Sequence, residues 1–284
     1  MNILVTGAGG QLGHDLLLEL TARGHQTEGL SSRELNVTDA RAVRRYLTEK
    51  RPDAVLHCAA YTAVDRAEDE ADACFAVNAL GTKAIAEACA EIGSRLLYIS
   101  TDYVFPGRGE RPWEPDDEPG PLNTYGRSKL LGEEAVRAAG DRHFIVRISW
   151  LFGVKGKNFV KTMLRLGAEK EEIRVVSDQI GSPTYAKDLS VLLADMIVTD
   201  RYGTYHASNE GFCSWYEFAE AIIRRAGLPA RVVPVPCSEY PTRAIRPLNS
   251  RMSKEKLTER GFARLPTWQD ALDRYLIELE EYHG

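Results

Sequence analysis

This chain has no basic surplus, no paired-cysteine motif and no apolar run of membrane length. Its 36 lysines and arginines face 41 aspartates and glutamates, for a net charge of −5. Duplex nucleic acid is bound through a basic face, so no nucleic-acid partner is expected. A small anion held by a few local arginines is still allowed. The five cysteines, Cys58, Cys74, Cys89, Cys213 and Cys237, are scattered. Their number is odd and none forms C-x-x-C, which argues against a disulfide framework or a zinc site and for a reducing cytoplasm. The opening MNILVTGAGG has no basic stretch leading into an apolar core, so no signal peptide is expected. The longest apolar stretch, LSVLLADMIV, is broken by Asp195 and is too short for a bilayer, so no membrane partner is expected either. Internal repeats and low-complexity segments are also missing. The composition is that of an ordinary globular protein, long enough for one large domain or two modest ones.

The first half alternates two patterns. NILVTG, DAVLHCAA and RLLYIST read as buried strands. QLGHDLLLELTARG and ADACFAVNALGTKAIAEACAEIG read as helices, closed by Gly24 and Gly93. This alternation predicts an α/β fold, a Rossmann-type doubly wound parallel sheet covered on both faces. After about Trp150, prolines at 183, 229, 234, 236, 241, 247 and 266 cut the chain into shorter pieces. Two helices stay legible there, WYEFAEAIIRRAG and TWQDALDRYLIELEEY. The expected division is a dinucleotide-binding domain over 1–150 and a smaller substrate-binding lobe over 151–284. PTYAKDLSVLLADMIV reads as a helix able to pack back on the first domain.

TGAGGQLG places Gly7, Gly10 and Gly13 at G-x-x-G-x-x-G spacing between the first strand and the first helix. Glycine allows the tight turn and lets backbone amides approach a pyrophosphate, which the helix N-terminus then faces. A glycine-rich turn alone is weak; its strand–turn–helix context points to a dinucleotide. The second strand, QTEGL, runs into SSRE. Ser31, Ser32 and Arg33 suit a 2′-phosphate better than the bare ribose of NAD, so NADPH is the expected cofactor, with NADH possible.

Tyr125 stands four residues before Lys129 in NTYGRSKLLGEE. On a helix starting near Asn123, both side chains share one face. A nearby ammonium and the helix N-terminus are expected to lower the tyrosine's pKa, so that Tyr125 can give a proton to a carbonyl oxygen. Taken alone, a solvated amphipathic helix explains the spacing equally well. YISTD decides against that. It puts Thr101 and Asp102 at the C-terminal end of a strand, where parallel sheets bind ligands.

The glycine loop, CAAYTAVDRAE, VNALGT, STDYVF, YGRSK and RISWLFG together resemble the extended short-chain dehydrogenase/reductases. STDYVFPG, PLNTYGRSKLLGE, SWLFG, DQIGSPTYAKDL, YHASNEGFCSWYEFA and RPLNS more narrowly resemble the dTDP-4-dehydrorhamnose reductase family, from the first strand to the last helix. The resemblance implies reduction of the 4-keto group of dTDP-4-dehydro-L-rhamnose. It implies Tyr125 as proton donor, Lys129 as the lysine that holds the nicotinamide ribose, and Thr101 as third catalytic member. Asp102, Trp150 and Val64 match substrate positions. Gln11, Leu12, Val37, Ala59, Ala60 and Tyr61 match cofactor positions. Asn36 stands where relatives often carry aspartate beside the adenine, so an altered contact is expected there. Arg246 is a candidate for the substrate diphosphate, with a surface salt bridge as the alternative.

Two other activities share this pattern: a sugar-nucleotide 4-epimerase, and a regulatory subunit like that of methionine adenosyltransferase. A 4,6-dehydratase is disfavoured because Tyr103, not glutamate, follows Asp102. Some relatives form dimers through magnesium held between acidic side chains. At the matching positions this chain has Asp15 and Lys187, and an ammonium repels a hard cation that wants oxygen ligands. No metal is expected, and a monomer or a weak metal-independent homodimer is.

Overall fold

The computed structural model of the chain describes residues 1–283. It opens with β1 (Asn2–Thr6), α1 (Gln11–Ala22), β2 (Gln26–Leu30), α2 (Ala40–Lys50) and β3 (Ala54–His57). Two short helices follow, α3 (Val64–Ala67) and α4 (Ala71–Phe75), then α5 (Thr82–Ile92), β4 (Arg95–Thr101), α6 (Thr124–Ala139) and β5 (His143–Ile148). The second half holds β6 (Leu151–Phe152), α7 (Phe159–Glu169), β7 (Glu172–Val176), β8 (Ile180–Gly181), β9 (Thr184–Tyr185) and α8 (Ala186–Ile197). It ends with β10 (Gly203–His206), β11 (Cys213–Ser214), α9 (Trp215–Arg225), β12 (Arg231–Val235), α10 (Glu255–Glu259) and α11 (Trp268–His283).

Six strands form one sheet in the order β10-β5-β4-β3-β1-β2, every pair parallel. Ile3, Leu4 and Val5 of β1 are all buried, so successive side chains need cover on both faces. One face receives Leu12, Leu16 and Leu20 of α1 together with Leu189, Leu192 and Leu193 of α8. The other receives Val43 and Leu47 of α2, Ile85 and Cys89 of α5 and Val136 of α6. This is the Rossmann-type doubly wound sheet. A separate core of Phe152, Phe218, Trp268 and Tyr275 holds the C-terminal lobe. α8 and β10 follow Trp150 in the chain, yet they complete the layers of the N-terminal domain.

ADACFAVNALGTKAIAEACAEIG is not the single regular helix its alanine-rich pattern predicts. α4 and α5 are joined by a π-helical turn over Ala76–Gly81. Such turns gather at functional positions because they re-aim a side chain. Here the side chain is Asn78. Its Oδ1 accepts from the Tyr61 amide at 2.8 Å, and its Nδ2 donates to the Tyr61 carbonyl and to Ser128 Oγ, each at 3.0 Å. The loop after β3 is thereby tied to α6.

Candidate active site

The carboxyl ends of β1, β3 and β4 open into a cavity of about 830 Å³. Its floor is the glycine loop. Gly7 has φ +69, and a Cβ there would lie 2.7 Å from the Ala59 amide nitrogen. A Cβ on Gly13 would lie 2.4 Å from the Gly7 carbonyl oxygen. Neither position tolerates a side chain, because strand, turn and helix approach too closely. Gly10 caps α1 with no side-chain bond to the first amides, and no acidic residue occupies the first turn. The helix start is therefore open to an anion. These features fit the pyrophosphate of a dinucleotide.

Gln11, Leu12, Ser31, Asn36, Val37, Ala59, Ala60 and Tyr61 all line the cavity, as do Val64, Thr101, Asp102, Tyr125, Lys129 and Trp150. Two expected residues do not. Arg33 is exposed beyond the rim, beside Ser31, whose hydroxyl accepts from the Arg33 amide at 3.3 Å. Arg246 pairs with Asp65 at 2.6 Å, and its buried Nε has no partner. The Asn36 side-chain oxygen already accepts from the amide and hydroxyl of Thr38, which holds a turn together.

α6 presents the tyrosine and lysine. Asn123 accepts from the Gly126 amide at 2.8 Å and starts the helix one residue before Thr124. Lys129 is buried; its Nζ donates to the Ile99 carbonyl at 2.7 Å and sits 4.1 Å from the centroid of the Tyr98 ring. Burial lowers its pKa to about 7, against smaller upward pulls from Glu133, Cys58 and Cys74. Tyr125 does not show the depressed pKa expected from the spacing. Desolvation raises it well above the usual value; the Thr101 hydroxyl opposes this and Asp102 adds to it. The ammonium meant to lower it is spent on a main-chain carbonyl. The tyrosine therefore stands protonated.

Thr101 Oγ1 donates to Asp102 Oδ1 at 3.0 Å and accepts from the Tyr103 amide at 3.2 Å. Asp102 Oδ2 accepts from Ser250 at 2.5 Å. Burial raises the Asp102 pKa to about 6, and these hydrogen bonds pull it back. Across the cavity mouth Trp150, at φ +49, stacks on Trp215 with centroids 3.7 Å apart. A Cβ on Gly181 would lie 2.9 Å from its indole, so glycine is required there.

Sequence reasoning passed over Cys58, Val77, Tyr103, Ser149, Lys157 and Trp215, all of which line the cavity. Tyr103 and Ser149 sit inside quoted motifs. Trp215 opens α9 behind a Ser214–Glu217 capping box, which does mark a helix start. Lys157 lies in GVKGKN, a loop without a motif.

A glycine-cradled dinucleotide site running into a threonine, a tyrosine and a lysine defines an extended short-chain dehydrogenase/reductase. More narrowly, residues 1–281 match the model of the RmlD substrate binding domain family, and the chain belongs to that family. It is 44% identical to the spore coat polysaccharide biosynthesis protein SpsK of Bacillus subtilis, over 97% of each chain. It is 40% identical to the dTDP-4-dehydrorhamnose reductase of Escherichia coli, over 98% of each. The crystal structure of dTDP-4-dehydrorhamnose reductase from Bacillus anthracis in complex with NADP superposes with a TM-score of 0.95, at 45% identity, over 98% of this chain and 99% of that one.

Proposed function

We propose that this chain reduces dTDP-4-dehydro-L-rhamnose to dTDP-L-rhamnose with NADPH. The observation that carries this reading is one cavity that joins the glycine loop to Thr101, Tyr125 and Lys129, in a chain related from end to end to reductases of that name. Bound over the glycine loop, NADPH supplies the hydride. Thr101 and Tyr125 hold the 4-keto oxygen, and Tyr125 gives its proton as negative charge develops there. Lys129, fixed by the Ile99 carbonyl, faces the ribose side of the site. The Trp150–Trp215 stack bounds the sugar. NADPH is preferred over NADH through Ser31 and Arg33, which can swing in from the rim to a 2′-phosphate. The enzyme works in the cytoplasm, a reading that the five unpaired cysteines support, and as a monomer or a weak dimer that needs no metal.

The test follows nicotinamide absorbance with dTDP-4-keto-6-deoxyhexoses of both configurations at C5. Tyr125→Phe is expected to keep its fold and cofactor affinity while turnover falls roughly 10²–10⁴-fold, the scale of a general acid. Near-normal turnover would remove Tyr125 from the mechanism. In the same assay Arg33→Ala is expected to weaken NADPH more than NADH; equal losses would take Arg33 away from the 2′-phosphate.

A further inference from the structure

Lys157 has no part in the reaction as described, yet it lines the same cavity. It lies in the loop between β6 and α7, which belongs to the C-terminal lobe but touches the glycine-loop helix. Asn158 Nδ2 donates to Gln11 Oε1 at 3.0 Å, to the Gly153 carbonyl at 2.8 Å and to the Tyr275 hydroxyl at 3.2 Å. Lys161 Nζ donates to the Gly156 carbonyl at 3.2 Å from the other side. Gly156, at φ +68, comes so near α1 that a Cβ on it would lie 3.6 Å from Gln11 Cγ. The backbone that carries Lys157 is thus pinned beside the open N-terminus of α1.

The charges around it are accounted for. Lys155 is bonded to Tyr282, and Lys161 to two carbonyls. Lys129 donates to Ile99, and Asp102 is held by Ser250 and Thr101. Among the described residues, Lys157 is the one cation of this cavity without a hydrogen-bond or ion-pair partner in the protein. Lys157 is exposed at the cavity edge, so a ligand anion that reaches its ammonium has no protein bond to break. The glycine loop offers amides to an anion but no full positive charge.

We propose that Lys157 is a diphosphate-binding residue. Its ammonium closes on the diphosphate of a nucleotide in the cavity, either that of the dinucleotide at the start of α1 or that of the nucleotide sugar beside Trp150. The second source rests on the reductase reading above; the first does not. As a compact point charge on a flexible stem, lysine suits phosphate oxygens that arrive and leave in each turnover.

The experiment titrates wild type, Lys157→Met and Lys157→Arg with NADPH and, separately, with dTDP by calorimetry, at two salt concentrations. Unliganded thermal melting is followed alongside. Lys157→Met is expected to weaken one ligand roughly tenfold to a hundredfold, the worth of one charge-assisted hydrogen bond. It should also flatten that ligand's salt dependence and leave the melting temperature in place. Lys157→Arg should restore most of the affinity. Loss with NADPH alone assigns the dinucleotide's diphosphate, and loss with dTDP alone the sugar nucleotide's. Loss with both, restored by arginine, sets the ammonium between them. Affinities within twofold of wild type in both arms overturn the proposal, as does a loss that arginine fails to restore. If wild type does not bind dTDP at all, the substrate reading fails while the NADPH arm still decides the role of Lys157.

Discussion

Ser250 reaches the site from the C-terminal lobe, and its hydroxyl donates to Asp102 Oδ2 at 2.5 Å. Asp102 in turn receives the Thr101 hydroxyl proton and so orients the threonine whose oxygen faces Tyr125. The hydrogen bond favours the carboxylate, while burial disfavours it and holds the pKa at about 6. Ser250→Ala removes one stabilising bond, so the Asp102 pKa rises further. A hydrogen bond to a charged group is worth about 1.5–3 kcal/mol, and a pKa unit about 1.36 kcal/mol. The acid limb of kcat/KM is therefore expected to move up by roughly one to two units, with the plateau much less affected. An acid limb that stays in place would show that ionised Asp102 is not needed. Stability has the opposite sign from the usual carboxylate. The folded state takes up a proton near pH 6, where an unfolded aspartate does not, so this group adds stability as pH falls through that value.

At the scale of elements, α6 has to lie close enough to β4 for Tyr125 and Lys129 to reach the cavity. Glycines permit it. A Cβ on Gly132 would lie 2.3 Å from the Tyr98 hydroxyl and 2.6 Å from the Asn78 carbonyl oxygen, and one on Gly126 would lie 2.3 Å from the Tyr103 carbonyl oxygen. Helix propensity favours alanine over glycine by about 1 kcal/mol. Overpacking a buried site costs about 1–3 kcal/mol, and here the obstacle includes backbone of the π-helical turn, which cannot swing aside. The packing effect should win. Gly132→Ala is expected to lower the melting temperature and, by tilting α6, to reduce turnover as well. A variant at least as stable as wild type would mean that α6 has slack against Asn78.

At the scale of the whole molecule, α1, α8 and α11 meet in a small charged cluster. Lys187 Nζ lies 2.8 Å from Glu278 Oε1, and Glu278 also accepts from the Tyr185 hydroxyl. Asp15 is buried with Oδ2 unpartnered; burial and Glu278 raise its pKa to about 7, and Lys187 opposes them. The neighbouring Asp188 faces elsewhere, bound by Arg274 at 2.6 and 2.7 Å and by Asn209 at 2.8 Å. The Lys187 ammonium thus sits against Glu278 within this cluster, and burial favours the protonated form of Asp15, both unfavourable to a hard cation. Sedimentation with and without a chelator is expected to give the same mass. Dimers that form with magnesium and dissociate on chelation would overturn this account of Lys187.

Local chemistry was enough to read much of this protein from its chain. The glycine spacing, the apolar strands and the cap at Asn123 act over a few residues, and each is a constraint that sequence neighbours impose on one another. The same holds for Tyr125 and Lys129, which one helix places on one face. Other features arise only when distant segments meet. The pKa of Tyr125 depends on burial and on where Lys129 points, and neither is a property of a Y-x-x-x-K spacing. The pairing of Arg246 with Asp65, the π-helical turn that aims Asn78 at Tyr61, and the Ser250 hydroxyl on Asp102 all join residues far apart in the chain. The placement of Lys157 at the edge of a cavity built largely by the other lobe is of the same kind. Desolvation and close approach are set by what packs against a group, so tertiary structure decided the electrostatics of the site, whereas the sequence by itself determined its backbone frame and the shared helix face of Tyr125 and Lys129.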